Sequence, residues 1–200
     1  FAFALINDAL SKSHRTHQWD LSSMRFILNA GEAIVAKTVR KFMVLLIPYK
    51  LPPTAMHPAW GMSETSSAVT FSGHCSLETT RDDDSFVEVG TPIPGFSMRI
   101  VDEQEQVVNE KTIGHLQVKG LSVTSGYFKN PELNREIFTQ DDWFQTGDSG
   151  FLREGCLTVT GREKEVIIVN GINYYSHEIE KVVEAVEKVE VSYTAACAIR

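Results

Sequence analysis

The hydrophobic pattern changes its period near Val69, and this change constrains the fold more than any other feature of the sequence. Before Val69, apolar residues recur at helical spacing around one short strand and a glycine turn. After it, helical spacing gives way to short apolar or alternating runs between turn-rich segments. The pattern predicts an α/β part, then a small antiparallel β subdomain, then the start of an α+β C-terminal subdomain. The strands expected in the β subdomain cover residues 69–71, 97–101, 115–119 and 157–160.

The N-terminal part is typical of a parallel α/β sheet. We predict a helix over residues 1–12, a strand over 24–28 and a helix over 32–47 that a cluster of prolines ends. Gly31 follows the predicted strand, and ligands of such sheets bind at the carboxyl ends of the strands. Gly31 is therefore a candidate binding position.

The composition is that of an ordinary globular protein and argues against several classes of function. Hydrophobic residues make up 42% of the 200 residues and charged residues 22%. The formal net charge of −7 leaves no basic stripe that could neutralise a nucleic-acid backbone. The longest apolar run, residues 42–47, is too short to span a bilayer. The three scattered cysteines argue against structural zinc and disulfides, and they favour a reducing, cytoplasmic location.

An aromatic residue, a glycine, a hydroxyl and an acid are concentrated in the segment Trp60-Gly-Met-Ser-Glu64. A flat ring can stack on a nucleobase, and the oxygens of Ser63 and Glu64 are ligands that suit Mg²⁺. The segment is not a nucleophile elbow, because Thr65 stands where that motif needs its second glycine. A capped turn ahead of a strand explains the same residues equally well.

A second candidate is Thr-Gly-Asp at residues 146–148. We predict that it forms a tight, exposed turn at the edge of a sheet, from which Asp148 accepts two hydrogen bonds from a vicinal diol. Each bond of this charged type contributes about 1.5–3 kcal/mol. The alternative is an ordinary aspartate turn.

Charged residues lead into a strand, a turn and a helix near the C-terminal end of the sequence. Arg162 and Lys164 precede four apolar residues, 166–169, which predict a buried strand. Asn170-Gly171 favours a turn because both residues tolerate positive φ, and Ser176 is the expected cap of the helix that follows.

The order and spacing of these motifs resemble those of the adenylate-forming (AMP-binding) superfamily. That superfamily includes acyl-CoA synthetases, fatty acyl-AMP ligases, the adenylation domains of peptide synthetases, and luciferases. The resemblance covers residues 21–200 and implies the C-terminal part of an adenylate-forming enzyme fold. It rests on Gly-Glu-Ala at 31–33, Trp-Gly-Met-Ser-Glu at 60–64, residues 114–120 with Gly126-Tyr127, Thr-Gly-Asp at 146–148 and Gly-Arg at 161–162.

The resemblance implies that a carboxylate attacks the α-phosphate of ATP, releases pyrophosphate and forms an acyl-adenylate. Mg²⁺ stabilises the phosphoryl charge. A thiol, of CoA or of a carrier protein's phosphopantetheine, then takes the acyl group after the C-terminal subdomain has turned. The same resemblance implies three divisions of the chain: residues 1–68 in the α/β sheet, 69–163 in a β-barrel-like subdomain and 164–200 in the mobile subdomain.

Each motif residue acquires an expected role from the resemblance. Trp60 would stack on adenine where the family has tyrosine, beside Gly61, and Ser63 would lie near the phosphates where the family has threonine. Glu64 would hold Mg²⁺, and Asp148 with Arg162 would bind the ribose hydroxyls.

Three further residues have implied roles away from the ribose and the metal. Lys164 would be the hinge, Gly171 would face the pantetheine channel, and Gly31 would bring backbone close to the adenine and acyl pocket.

Within the superfamily, residues 161–180 resemble the fatty acyl-AMP ligases and the loading domains of polyketide and hybrid synthases. Amino-acid adenylation domains usually have aspartate where Lys164 stands and arginine where Asn173 stands. We therefore expect a carboxylic acid substrate, fatty or otherwise. An amino-acid adenylation domain and a non-catalytic nucleotide-binding module are the alternatives. The phosphate loop and the lysine that contacts the substrate carboxylate are expected outside these residues, so we predict an inactive fragment.

Overall fold

The computed structural model describes residues 2–13, 17–163, 166–169, 172–189 and 194–197. The helices are α1 (Ala2–Lys12), α2 (Ala36–Leu46), α3 (Pro131–Ile137) and α4 (Ser176–Glu184). The strands are β1 (Ile27–Asn29), β2 (Met56–Gly61), β3 (Ala68–Phe71), β4 (Thr91–Pro92), β5 (Phe96–Val101), β6 (Gly114–Gly120), β7 (Phe144–Arg153), β8 (Cys156–Arg162), β9 (Val166–Val169) and β10 (Ile172–Tyr175). Short 3-10 helices cover Ile47–Tyr49 and Ser63–Thr65.

The first sheet has the strand order β1-β2-β3-β4. β1 and β2 run parallel, whereas the other neighbours are antiparallel. α1 packs on α2, with the rings of Phe3 and Phe42 in edge contact at 4.9 Å. The inner face of α2 is fully buried at Val39, which places this helix in the core. The predicted α/β part is therefore present.

α2 begins at Ala36, later than the apolar spacing predicts, because the preceding residues pair with another part of the chain. The carbonyl of Ile34 accepts a hydrogen bond from the N–H of Val87 at 3.0 Å. Val35 forms an isolated antiparallel bridge with Phe86. Backbone groups used in this way are unavailable for a first helical turn.

The second sheet is antiparallel, with the order β5-β6-β7-β8, and confirms the predicted antiparallel β subdomain. Its inner face buries Leu116, Val118, Phe144 and Leu157 almost completely. These residues belong to the same core as Val39, so the two sheets share one apolar interior.

The prediction of an exposed edge turn at Thr-Gly-Asp is wrong. Residues 146–148 lie inside β7, between β6 and β8, and Asp148 is only 6% exposed. Gly147 has φ +72°, a left-handed conformation that favours glycine, and the register with β8 shifts between Ser149 and Gly150. The irregularity that makes this segment look like a turn is thus a kink within a strand.

The segment after β8 contains the predicted strand and helix, but also a second strand. β9 and β10 form an antiparallel hairpin in which Val169 pairs with Ile172. α4 then begins at Ser176. β9 is less buried than predicted, since Val169 is 49% exposed. The predicted turn at 170–171 lies outside the described residues.

Of the described helices, none has the length and apolar character needed to cross a bilayer.

Candidate nucleotide-binding site

The motif at residues 60–64 lies where β2 ends and turns back into β3. Gly61 is needed there because a Cβ at this position would lie 2.3 Å from the carbonyl oxygen of Ser67. The buried hydroxyl of Thr65 accepts a hydrogen bond from the N–H of Met62 at 3.1 Å and donates to the carbonyl of Ser67 at 2.7 Å. The capped turn is therefore real, and it leaves Ser63 exposed and Glu64 half-buried at its outer side.

Glu64 is held by a loop that follows β6. The Tyr127 hydroxyl donates to Glu64 Oε1 at 2.5 Å, and the N–H of Thr124 donates to the Glu64 carbonyl at 2.7 Å. The hydrogen bond to Glu64, together with partial burial, raises the pKa of the Tyr127 hydroxyl. Sequence reasoning identified Gly126-Tyr127 as part of a motif but missed this contact, because 63 residues separate the two side chains.

Trp60, Asp148 and Arg162 come together although they lie on three different strands. The indole Nε1–H of Trp60 donates to Asp148 Oδ2 at 2.8 Å. The guanidinium Nε of Arg162 lies 3.1 Å from Asp148 Oδ1. Asp148 and Arg162 are directly paired across β7 and β8. Three residues selected from separate motifs thus form one contiguous group.

The electrostatic environment of this group is asymmetric. The side chain of Asp148 is 9% exposed, whereas that of Arg162 is 61% exposed. Trp60 is 7% exposed and belongs to the core. A buried carboxylate must be paired or hydrogen-bonded to remain ionised, and the Arg162 cation and the Trp60 N–H meet that requirement.

The backbone around Asp148 is fixed from the interior of the sheet. The N–H of Asp148 donates to Thr146 Oγ1 at 3.0 Å, and that hydroxyl donates to the carbonyl of Leu116 at 2.8 Å. The spacing of Thr146 and Asp148 within the strand therefore lets the threonine hydroxyl link the Asp148 backbone to β6.

The remaining predicted positions are not joined to this group by contacts of the described residues. Gly31 lies on an exposed segment two residues beyond β1. Lys164 and Gly171 lie outside the described residues. Sequence reasoning also missed one contact beside Arg162: His115 Nδ1 lies 2.7 Å from Glu163 Oε1, although without hydrogen-bond geometry.

The described residues contain no cluster of three or more His, Cys, Asp or Glu side chains that could form a metal site by themselves. A cavity of about 450 Å³ lies elsewhere, between residues 72–88 and the strands β7 and β8. None of the described site residues lines it.

The comparison with protein families decides how these contacts should be interpreted. Residues 2–128 match the model of the AMP-binding enzymes. The chain belongs to the AMP-binding enzyme family. The predicted fold, the C-terminal part of an adenylate-forming enzyme, is confirmed by the solved structures that resemble it.

Similar proteins with curated descriptions are fungal synthetases. The chain is 39% identical to the nonribosomal peptide synthetase apvA of Aspergillus terreus, over 94% of this chain and 20% of that protein. It is 38% identical to aspulvinone E synthetase melA of the same organism, over 92% of this chain and 20% of that protein. The chain therefore spans about a fifth of the length of these relatives.

Solved structures give the same family. The structure of McyG A-PCP complexed with phenylalanyl-adenylate is 47% identical, with a TM-score of 0.87 over 99% of this chain and 35% of that chain. The adenylation domain of a keto acid-selecting NRPS module bound to keto acyl adenylate is 43% identical, with a TM-score of 0.77 over 99% of this chain and 41% of that chain. Fatty acyl-adenylate ligases from E. coli and L. pneumophila are represented at 25% identity and a TM-score of 0.79, over 98% of this chain and 39% of that chain.

Proposed function

We propose that these residues are part of an adenylation domain of the nonribosomal peptide synthetase type, which converts an α-keto acid and ATP into an acyl-adenylate. The observation that carries the proposal is the group formed by Trp60, Asp148 and Arg162. It brings a buried carboxylate on the inner strand β7 together with an exposed cation on the edge strand β8, and Asp148 lies 88 positions after Trp60.

Asp148 and Arg162 are suited to bind a ribose. A carboxylate with two oriented oxygens can accept hydrogen bonds from both hydroxyls of a vicinal diol, and burial makes these bonds stronger than they are in water. Arg162 compensates the charge of the Asp148 carboxylate and, being 61% exposed, presents further N–H donors towards solvent, where a nucleotide arrives. In the same proposal, the ring of Trp60 stacks on the adenine.

Glu64 fits the role of a magnesium ligand. Mg²⁺ is usually bound through one or two carboxylates together with substrate phosphates, so a single protein carboxylate is sufficient chemistry. Tyr127 occupies Oε1, and no described residue donates to Oε2. When bound, Mg²⁺ would supply charge stabilisation at the phosphoryl oxygens. Tyr127 would orient the Glu64 carboxylate, and exposed Ser63 would lie beside the phosphates.

The substrate class follows from combining two observations. The departures from the amino-acid pattern at Lys164 and Asn173 favour an acid without an α-amine. The comparisons favour the alternative reading, a peptide-synthetase adenylation domain, over a fatty acyl ligase, because identity is 43–47% to the former and 25% to the latter. A peptide-synthetase domain that selects a keto acid agrees with both the departures at these two positions and the sequence identities.

An α-amino acid substrate is the second candidate. The observation that favours it is the 47% identity to the structure described as complexed with phenylalanyl-adenylate. A fatty acid substrate has less support, since the fatty acyl-adenylate ligases are more distant.

The acceptor in our proposal is the pantetheine thiol of a carrier protein. The 47% identical structure is described as A-PCP, which supports a carrier protein over CoA. Lys164 as hinge, Gly171 at the thiol channel, Gly31 near the acyl pocket and the division at residues 68/69 and 163/164 belong to the same proposal.

A matched pair of acids tests the proposal in the intact enzyme. Phenylpyruvate and phenylalanine carry the same side chain and differ only at Cα, and decanoate represents fatty acids. We expect pyrophosphate release, with trapping of the adenylate as hydroxamate, to be greatest with the keto acid. Greater turnover of phenylalanine would establish the second candidate, and turnover of decanoate alone would return the protein to the fatty acyl ligases. Absence of pyrophosphate release with all acid classes would refute an adenylating function.

A further inference from the structure

We propose that Trp60 is a positioning residue that holds the Asp148 carboxylate in the orientation needed to bind both ribose hydroxyls. The inference rests on the proposed function and adds a role for the indole N–H. In this role the edge of the ring, rather than its face, contributes to nucleotide recognition.

The contact between the two residues has the geometry of a strong hydrogen bond. Trp60 Nε1 and Asp148 Oδ2 are 2.8 Å apart, and the two residues are 7% and 6% exposed. Water therefore competes little for either group, and a hydrogen bond to a charged acceptor in such surroundings is stronger than one at the surface.

The bond restricts the torsion that matters for a diol. The last torsion of an aspartate side chain is broad, so a carboxylate bound through one oxygen can still rotate. Here Arg162 approaches Oδ1 while Trp60 donates to Oδ2. A donor at one oxygen and a cation at the other, from different strands, restrict the carboxylate plane. An ionised carboxylate has about four lone-pair sites, so it can accept from the hydroxyls of a diol as well.

Trp60 can act in this way because its own position is fixed. It is packed in the core, and its backbone N–H donates to Thr70 Oγ1 at 3.2 Å on the neighbouring strand. The next residue, Gly61, allows the close approach of Ser67 at the strand end. The rigid interior of the first sheet is thereby connected to a functional group on the second. A tyrosine or phenylalanine at position 60 has no N–H at this place on the ring.

The test compares two nucleotides in the intact enzyme. ATP has both ribose hydroxyls, and 2′,3′-dideoxy-ATP has neither. Trp60→Phe keeps an aromatic face and removes the N–H. We expect kcat/KM for ATP to fall about tenfold, the factor that corresponds to ~1.4 kcal/mol. With the dideoxy nucleotide, the variant and the unaltered enzyme should be nearly equal.

The control is Trp143→Phe, the same chemical change at a tryptophan whose ring packs against the Arg99 guanidinium at 4.4 Å on the other side of the second sheet. It should leave the ratio of the two nucleotides unchanged. Equal losses of both nucleotides in Trp60→Phe would overturn the proposal, because a ring that only stacks or fills space does not distinguish the hydroxyls.

A double-mutant cycle separates failure of this inference from failure of the proposed function. Urea unfolding of Trp60→Phe, Asp148→Ala and the double variant should show coupling, because either single change removes the bond and the second change then costs less. Absence of coupling would refute the bond itself. Coupling with unchanged nucleotide discrimination would refute the positioning role alone. An unaltered enzyme that binds no ATP would refute the proposed function and the role together.

Discussion

Replacement of Asp148 by asparagine separates the contribution of this residue to nucleotide binding from its contribution to stability. Asparagine has the same shape but offers one acceptor oxygen instead of two and carries no charge. The hydrogen bond from the Trp60 N–H and the contact with the Arg162 cation then compete for one oxygen. The structure decides which of them keeps it.

The oxygen is expected to face Trp60. An unsatisfied buried N–H costs about 1–3 kcal/mol, and Trp60 is 7% exposed. Arg162 is 61% exposed, so water can replace its lost partner. We therefore expect a cost close to that of a surface pair, about 0–1 kcal/mol, although Asp148 itself is buried. The folded state should therefore lose no more than about 1 kcal/mol.

A bound ribose, in contrast, cannot recover the lost acceptor from water. A diol that binds the carboxylate through two charged bonds loses at least one of them, worth about 1.5–3 kcal/mol, because an amide N–H₂ cannot accept. That loss lowers kcat/KM for ATP by about 10- to 150-fold, with 1.4 kcal/mol per factor of ten. Isotope exchange between ATP and pyrophosphate measures it in the intact enzyme, and thermal unfolding measures the stability.

Asp141→Asn is the matched control. Asp141 is an exposed partner of Arg99, and this ion pair together with a hydrogen bond from Thr139 lowers the pKa of the Asp141 carboxyl to about 2. The control removes a paired carboxylate from the same subdomain but should leave exchange unchanged. Unaltered exchange in Asp148→Asn, with the fold intact, would refute the ribose assignment.

Three further predictions concern the core, the cysteines and the hinge. Leu116→Ala should destabilise the protein by about 2–5 kcal/mol, because Leu116 is 1% exposed. Leu121→Ala, at a fully exposed position, should change the free energy of unfolding by no more than about 0.5 kcal/mol. Equal midpoints of urea unfolding for the two variants would contradict the packing described above. Burial raises the pKa of the Cys75 thiol to about 11, so the thiol stays protonated at pH 8. Iodoacetamide should therefore label the exposed Cys197 before Cys75, as measured by mass spectrometry. Simultaneous labelling of both cysteines in the native state would show that Cys75 is accessible. Lys164→Pro should spare adenylation and slow thioester formation in the intact enzyme, and equal losses in both half-reactions would exclude a hinge there.

Sequence reasoning succeeded where the signal is local. The period of apolar residues predicted α1, the body of α2 and the strand β9, because helix and strand periods are read from neighbouring positions. It missed α3, although Asn130 caps that helix and Pro131 occupies its first turn, a start signal present in the sequence. It also missed β10, which pairs with β9 across a connection expected to lead directly into a helix.

The choice of acyl class shows the limit of motif reasoning. Residues 161–180 resemble the fatty acyl branch, and Lys164 and Asn173 depart from the amino-acid pattern, so the sequence favoured that branch. Overall identity favours peptide-synthetase adenylation domains instead. The two departures bear on the α-amine and not on the rest of the acyl group, because discrimination between acyl groups depends on contacts with the acyl group itself.

The sequence by itself determined which residues belong to the candidate site, because Trp60, Glu64, Asp148 and Arg162 stand in motifs whose order can be read along the chain. Only the tertiary structure decided what those residues do to one another. It buries Asp148 in the middle of β7. The indole N–H on the second oxygen of Asp148 and the Tyr127 hydroxyl on Glu64 both join residues at least 63 positions apart. The physical reason is that such contacts depend on strand register and on the packing of two sheets around one core, which no short stretch of sequence specifies.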